Sequence, residues 1–272
     1  MFRRLTVVTI VSFAAIALIG CSGTPASEGE GSATESAASG LGLVNEGTLT
    51  VATEGTYRPF SFHEGGGTGD LVGYDVEIIE AVAEKLDLKI EFQETQWDAI
   101  FAGLDAGRFD VIANQVTIND EREASYLLSA PYTVSHGVIV VPGDDDSITS
   151  FEDLEGKTTA QSLTSNWYEL ATESGAKVEP IEGWAQAVQL LQQGRVDATI
   201  NDELTFLDYE KNEGPSGLKI AAETEEAGEQ AFAFTKDKQA LADAIDGALD
   251  ELRADGTLSE ISTKYFGADV TE

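Results

Sequence analysis

The hydrophobic positions of this chain follow two periods in turn. Leu49 and Val51 are apolar at alternate positions, which predicts a strand. Residues 75–86 repeat apolar side chains at spacings of three and four, which predicts an amphipathic helix. Apolar and polar residues alternate again in residues 88–92, and strand-like and helix-like patterns then follow one another to about residue 222. This order of elements is typical of an α/β protein with a mostly parallel sheet.

One short sequence unit occurs twice. Residues 107–114 read Gly-Arg-Phe-Asp-Val-Ile-Ala-Asn, and residues 194–201 read Gly-Arg-Val-Asp-Ala-Thr-Ile-Asn. Gly, Arg, Asp and Asn stand at the same offsets, which predicts two similar α/β lobes. Ligands of open α/β sheets bind beyond the carboxyl ends of strands. Gln115 and Asp202, which come directly after the two units, are therefore expected to face each other across a cleft.

Two apolar stretches predict the connection between the lobes. Residues 138–141 and 231–234 contain only apolar side chains, and we interpret them as a pair of hinge strands. They divide the chain into lobe 1, residues 47–138 and 234–272, and lobe 2, residues 139–233.

The N-terminal segment has the features of an export signal. Arg3 and Arg4 precede an apolar run that is too short to span a bilayer comfortably. The run ends at Cys21, the only cysteine, in a context that resembles the bacterial lipobox. That resemblance implies removal of residues 1–20 as a signal peptide and lipid attachment at Cys21. An ordinary signal peptide followed by a chance cysteine is the alternative.

The segment after the cysteine has a different composition. Residues 21–46 are rich in Gly, Ser, Ala, Thr and Glu and nearly free of large apolar side chains, which predicts a flexible linker. We therefore expect an extracytoplasmic protein that is lipid-anchored to the outer face of the cell membrane.

The charge balance argues against several kinds of partner. The chain has 16 basic and 49 acidic residues, a formal net charge of −33. Nucleic acid needs basic patches for its phosphates, so no nucleic-acid partner is expected. The single cysteine allows no internal disulfide, and the chain has only two histidines, His63 and His136. We expect no metal and no cofactor, and we expect a monomer.

Several motifs resemble one known family, the extracellular solute-binding proteins of family 3, which are amino-acid-binding components of ABC importers. The similarity covers residues 47–271 and is carried by six stretches in order: 56–60 (Thr-Tyr-Arg-Pro-Phe), 73–76 (Gly-Tyr-Asp-Val), 113–122 (Ala-Asn-Gln-Val-Thr-Ile-Asn-Asp-Glu-Arg), 129–132 (Ser-Ala-Pro-Tyr), 194–198 (Gly-Arg-Val-Asp-Ala) and 255–258 (Asp-Gly-Thr-Leu). The resemblance implies the type II periplasmic-binding-protein fold, two α/β lobes joined by two hinge strands with the ligand between them. It also implies a membrane permease as partner.

A free amino acid is a zwitterion, so its site needs one fixed cation and one fixed anion. Arg122 suits the ligand carboxylate, because a guanidinium meets a carboxylate in a bidentate fork, and the resemblance implies the same role. The alternative is a solvated arginine paired with Glu121 or Asp120. Asp202 suits the ammonium, with a helix N-cap as the alternative.

The resemblance implies further ligand contacts. In the family, the positions of Gln115 and Thr117 offer a carbonyl and a hydroxyl to the ligand. Ser165 and Asn166 match a carboxylate-binding loop at a helix N-terminus, although this chain departs from the usual Gly-Thr pair there. A helix N-cap without a ligand role is the alternative. Aromatic side chains line the side-chain pocket, and three candidates for this chain are Tyr57, Phe62 and Trp97. A core position is the alternative for an aromatic residue, and strand propensity is the alternative for Thr117.

The ligand follows from the same resemblance. The chain looks most similar to cystine-binding members, which predicts cystine, and glutamine or another polar amino acid is the alternative. The fold also carries a few enzymes of dehydratase type, for which His63 would be the candidate acid or base. We expect a binding protein and not an enzyme. A sensory role that a partner reads from the closed form is a third possibility.

Overall fold

The structure is a computed structural model that describes residues 40–272. No helix in these residues is long and apolar enough to cross a membrane. The strands are β1 (Thr48–Thr53), β2 (Thr56–Tyr57), β3 (Ser61–His63), β4 (Leu71–Val72), β5 (Lys89–Glu94), β6 (Val111–Thr117), β7 (Leu127–Leu128), β8 (Thr133–Ser135), β9 (Gly137–Pro142), β10 (Thr158–Gln161), β11 (Lys177–Pro180), β12 (Thr199–Asp202), β13 (Leu218–Glu223) and β14 (Gly228–Phe234). The helices are α1 (Glu64–Gly67), α2 (Tyr74–Lys85), α3 (Trp97–Asp105), α4 (Asp120–Ser125), α5 (Asn166–Glu173), α6 (Trp184–Gln192), α7 (Glu203–Glu213), α8 (Gln239–Ala254) and α9 (Thr257–Phe266).

Lobe 1 is built on a mixed sheet in the order β5-β1-β6-β14-β7, with β8 also paired to β14. Its central strands β1, β6 and β14 are buried on both faces, because successive side chains point to opposite sides and each side is covered by helices. Val51 packs into a core with helices α2, α8 and α9, whereas its neighbour Ala52 packs into a second core with α3. The two-sided burial explains why β1 shows almost no exposed positions.

Lobe 2 contains the sheet β12-β9-β13 and the parallel pair β10-β11, which an isolated bridge between Thr159 and Ala198 connects. Alternate side chains of β9 again enter different cores. Val138 and Val140 pack against α6, and Ile139 and Val141 pack on the side of α5. The predicted two-lobe α/β fold is therefore confirmed.

Two short segments join the lobes. Strand β8 belongs to lobe 1 and β9 to lobe 2, with His136 between them, and residues 224–227 separate β13 from β14. Both β9 and β14 enter their sheets antiparallel to the neighbouring long strands, because the chain arrives directly from the other lobe without a crossover helix. Since β14 pairs with β6 and β8 from Gly228 onward, the predicted end of lobe 2 at residue 233 is too late.

The repeated unit has the same structural role in each lobe. The Asp110 amide donates to the Thr50 carbonyl, and Asp110 Oδ2 accepts from the Thr50 amide at 3.0 Å. Asp197 bonds to Thr158 in the same way, with Oδ2 accepting from the Thr158 amide at 2.7 Å. In both lobes the unit ties the end of one helix to the first strand of its sheet.

The beginning of the described chain also changes one expectation. Leu41 and Leu43 pack against the lobe 1 core, and the Val44 amide donates to Asp110 Oδ1 at 2.7 Å. The predicted linker therefore ends before residue 46, because its last residues are anchored to lobe 1. The predicted signal peptide, Cys21 and the rest of the linker lie outside the described residues.

Candidate functional site

A cavity lies between the lobes at the carboxyl ends of their strands. Glu54 follows β1, Asn114 and Gln115 lie in β6, and Gln161 and Asn201 lie in β10 and β12. This position is the one expected for a ligand site in open α/β sheets. We call it the central cavity; its lining is Glu54, Thr56, Tyr57, Trp97, Asn114, Gln115, Gln161, Ser162, Ser165, Asn166, Trp167, Ile181, Gly183, Trp184, Thr199 and Asn201.

Hydrogen bonds across the cleft hold the lobes together. The Tyr57 hydroxyl donates to Asn201 Oδ1 at 2.9 Å. Asp98 Oδ1 in lobe 1 accepts from the Thr164 hydroxyl of lobe 2 at 2.8 Å, and an ion pair of 3.2 Å joins Arg58 Nε to Asp208 Oδ2. The structure therefore has the closed arrangement of its lobes.

Five of the predicted ligand residues line the central cavity: Tyr57, Trp97, Gln115, Ser165 and Asn166. Ser165 is the N-cap of α5, where its hydroxyl accepts from the Tyr168 amide at 3.1 Å. The N-cap role and a ligand role can coexist, since a residue at a helix N-terminus can also present free amides to an anion.

Arg122 lies just behind this lining. Its guanidinium is buried, donates to the Thr117 carbonyl at 2.7 Å and to Asn166 Oδ1 at 3.4 Å, and lies 5.3 Å from the centre of the Trp97 ring. Asn166 lines both the central cavity and the adjoining cavity that Arg122 lines. Burial lowers the pKa of Arg122 to about 10. The alternative pairing with Glu121 or Asp120 does not occur, and Arg122 forms no ion pair within residues 40–272.

Asp202 is also behind the lining. Its Oδ1 accepts from the Leu204 amide at 2.8 Å, which makes it the N-cap of α7, and its Oδ2 accepts from the Ser135 hydroxyl. Its neighbour Asn201 takes the place in the lining. Burial raises the pKa of Asp202 to about 6. Its role at the ligand ammonium stays a prediction.

Two further predicted residues, besides Arg122 and Asp202, lie outside the lining. Phe62 lies under the Arg58 guanidinium, 3.9 Å from ring centre to Cζ, and Thr117 turns its carbonyl to Arg122. His63 is also outside, because its ring nitrogens are 2.8 Å from the Gly69 carbonyl and 2.9 Å from Glu94 Oε1.

The most informative residue that sequence reasoning missed is Glu54. Its carboxylate accepts from Asn114 Nδ2 at 2.7 Å, and burial raises its pKa to about 7. Its position directly after β1 is the signal that could have found it, since Gln115 was found by the same rule at β6. Trp167 and Trp184, which no sequence pattern selected, also line the cavity.

Four buried polar atoms of the lining have no hydrogen-bond partner in the described part of the chain. Three belong to donor groups, Trp97 Nε1, Trp184 Nε1 and Gln161 Nε2, and one is an acceptor, Gln115 Oε1. Leaving such groups unpaired is costly, so a ligand that supplies both acceptors and a donor would satisfy them. Within residues 40–272 no three side chains of His, Cys, Asp or Glu come together to hold a metal ion.

The profile of the bacterial extracellular solute-binding proteins, family 3, matches residues 49–268. This chain belongs to that family. It is 52% identical over 230 residues to the L-cystine-binding protein TcyA of Bacillus subtilis, covering 85% of each chain. It is 38% identical to the L-cystine-binding protein TcyJ of Escherichia coli, covering 85% of this chain and 88% of that protein.

Solved structures have the same fold, and they bear on whether the two lobes of this chain are open or closed. An ancestral arginine-binding protein bound to arginine superposes with a TM-score of 0.76 at 37% identity, covering 81% of this chain and 99% of that one. The L-cystine solute receptor of Neisseria gonorrhoeae, unliganded and open, is 47% identical but has a TM-score of 0.57, covering 84% and 96%. The more similar sequence superposes less well, which agrees with closed lobes here.

Proposed function

We propose that this chain is the substrate-binding component of an ABC importer and that its ligand is an amino acid, cystine first. The observation that carries the proposal is the closed central cavity, in which three donors and one acceptor lack partners among residues 40–272. Carboxylate oxygens would satisfy the donors, and an ammonium would satisfy the acceptor.

The charges around the cavity support one orientation of the ligand. Ser165 and Asn166, at the N-terminus of α5, would bind the ligand carboxylate with the positive charge of Arg122 directly behind them. Glu54 and Asp202 would attract the ammonium, the first from the lining and the second from behind Asn201. A lining that combines one carboxyl group with neutral amides, hydroxyls and aromatic rings suits a ligand of zero net charge.

Cystine is favoured over other amino acids for two reasons. Two of the curated relatives, TcyA at 52% and TcyJ at 38% identity, are named for L-cystine. Tyr57, Trp97, Trp167 and Trp184 also surround the cavity with aromatic rings, against which sulfur atoms pack favourably. Glutamine is the second candidate, and a related ancestral arginine-binding protein has been solved with glutamine bound.

We infer that the ligand leaves unchanged. One structural neighbour is described as a precursor of cyclohexadienyl dehydratase, so the fold alone does not decide this point. The relatives TcyA and TcyJ are both named as binding proteins, which supports binding without catalysis.

The membrane arrangement is part of the same proposal. The protein would be tethered through a lipid on Cys21 and would deliver its ligand, as a monomer, to a permease on the outer face of the membrane. Membrane fractionation of the wild type and a Cys21→Ala variant tests the anchor. Equal membrane retention of both would reject it.

Isothermal titration calorimetry of the purified protein with cystine, cysteine, glutamine and arginine tests the ligand. We expect one cystine per chain and at least about tenfold weaker binding of the others. Tighter binding of another amino acid would keep the binding role and discard cystine, whereas no binding of any of them would reject the role. Mass spectrometry of the recovered ligand checks that it is unchanged.

A further inference from the structure

Gln115 has a backbone conformation that residues with side chains rarely adopt. Its φ is +49°, in the left-handed region. Such a conformation costs free energy and persists only where the surroundings enforce it, which is often at a binding site. Gln115 lines the central cavity. The contacts that hold its backbone in this conformation therefore also hold part of the cavity wall in place.

Asp75 provides those contacts. It is the second residue of α2, and its side chain is fully buried. Its Oδ2 accepts from the Gln115 amide nitrogen at 2.8 Å and its Oδ1 accepts from Gln115 Nε2 at 2.6 Å. Asp75 has no ion-pair partner within residues 40–272. A buried carboxylate without a cation is costly, and here its two hydrogen bonds go to one residue of the cavity wall.

The chemistry of these two hydrogen bonds fixes which way the Gln115 amide points. An ionised carboxylate only accepts hydrogen bonds, so Gln115 must turn its NH₂ group toward Asp75. The same Nε2 also donates to the Thr133 hydroxyl at 3.1 Å. Both donors of the amide are then used within lobe 1, and Oε1 is left buried without a partner among the described residues.

We propose that Asp75 is a positioning residue that keeps the Gln115 amide oxygen available to the ligand's ammonium. Asp75 touches no ligand itself; it acts through Gln115, from behind the cavity wall. This inference rests on the proposed amino-acid-binding function and goes beyond it. It identifies the Asp75 carboxylate as the group that makes the neutral side chain of Gln115 selective for an amine.

The test is the isosteric variant Asp75→Asn, measured at pH 8, above the pKa of about 7 to which burial raises Asp75. The introduced asparagine would place its own NH₂ group where Oδ1 was, since its oxygen is needed by the Gln115 backbone amide. Gln115 would turn over and present Nε2 to the ligand. We expect cystine affinity to fall by about 10- to 100-fold, as for loss of a hydrogen bond to a charged group, while the unfolding temperature changes little.

A second substitution should reverse the loss. In Asp75→Asn combined with Gln115→Glu, one Glu oxygen would accept from the asparagine and the other would face the ligand. We expect the affinity to return to within a few-fold of the wild type. Asp110→Asn is the matched control, because Asp110 is also a fully buried lobe 1 carboxylate that accepts backbone amides, away from the cavity. It should leave the affinity unchanged.

The amine-free analogue dithiodipropionic acid separates positioning from a merely structural role. Asp75→Asn should weaken cystine binding but not binding of the analogue, and equal changes for both would overturn the inference. If Asp75→Asn does not fold, the affinities for cystine and for the analogue are measured in Gln115→Met instead. A ratio of these two affinities equal to that of the wild type would overturn the inference. If the wild type binds no amino acid, the proposed function is overturned as well. If the wild type binds cystine and Asp75→Asn binds it with the same affinity, only this inference is overturned.

Discussion

The two walls of the central cavity are built from different chemistry. On the lobe 1 side are Glu54 in the lining, Gln115 fixed by a buried carboxylate, and Arg122 directly behind. On the lobe 2 side the polar lining residues are neutral, and two of its helices begin at the cavity, α5 after its N-cap Ser165 and α6 after its N-cap Gly183.

This difference indicates a division of labour. Ionisable groups are costly to move between water and a closed site, and they need partners that stay in place. Neutral donors on helix N-termini lose less hydration when they close over a ligand, and they still favour a carboxylate. We infer that lobe 1 supplies most of the charge recognition and that lobe 2 completes the hydrogen bonds when it closes.

The largest expected loss of affinity comes from removing a charge on the lobe 1 side of the central cavity. Arg122→Ala removes a buried guanidinium that has no ion-pair partner among the described residues, so we expect cystine affinity to fall by more than about 100-fold. Calorimetry measures the affinity, and circular dichroism checks that the fold is kept. Arg108→Ala, which changes an exposed arginine of the same lobe, is the control. If Arg122→Ala binds cystine with the same affinity as the control variant, Arg122 has no role in ligand binding.

A smaller effect concerns the pH. Burial raises the pKa of Glu54 to about 7, so the ligand-free protein holds a proton there below that pH. An ammonium prefers the ionised carboxylate, so affinity should rise between pH 5 and 7, by up to about tenfold per unit, and then level off. Glu54→Gln should make this profile shallower in calorimetry at several pH values without abolishing it, because burial also raises the pKa of Asp75 to about 7 and that of Asp202 to about 6. A profile of the same slope in both proteins would contradict the role of Glu54.

Stability of the ligand-free protein should show the opposite trend. Burial raises the pKa of both Glu54 and Asp75 to about 7, above the ordinary values of about 4. The folded state therefore binds these protons more tightly than the unfolded state, and the resulting stabilisation is lost as the pH rises from about 4 to 7. Urea unfolding of wild type and Glu54→Gln should show a smaller decrease over this range in the variant. An equal decrease would assign the trend to other groups.

The smallest effect tests closure by lobe 2. Arg58→Ala removes the interlobe ion pair with Asp208, in which Arg58 remains 42% exposed. Exposed pairs contribute little, so we expect affinity to fall by about fivefold or less. Lys219→Ala removes an ion pair of 2.6 Å with Asp146, both in lobe 2, and should not change the affinity. A larger loss for Lys219→Ala than for Arg58→Ala would argue against a role of the interlobe pair.

The repeated sequence unit illustrates how far the sequence could lead. Its Gly, Arg and Asp positions predicted two similar lobes, and the structure confirms that Asp110 and Asp197 make the same backbone hydrogen bonds. The different roles of the residues directly after the two units could not be foreseen from the units themselves. Gln115 turns into a left-handed conformation and stays in the cavity wall, whereas Asp202 starts helix α7 and withdraws behind Asn201.

By itself, the sequence determined the family, the two-lobe α/β fold and the strand ends at which the cavity forms, because these depend on local periodicity and on motifs of neighbouring residues. Only the tertiary structure decided the rest: the boundary of lobe 2, the place of Glu54, Trp167 and Trp184 in the lining, and the pairing of Asp75 with Gln115. Burial, pKa and hydrogen-bond partners arise where chain segments distant in sequence pack together, and no local pattern encodes which segments those are.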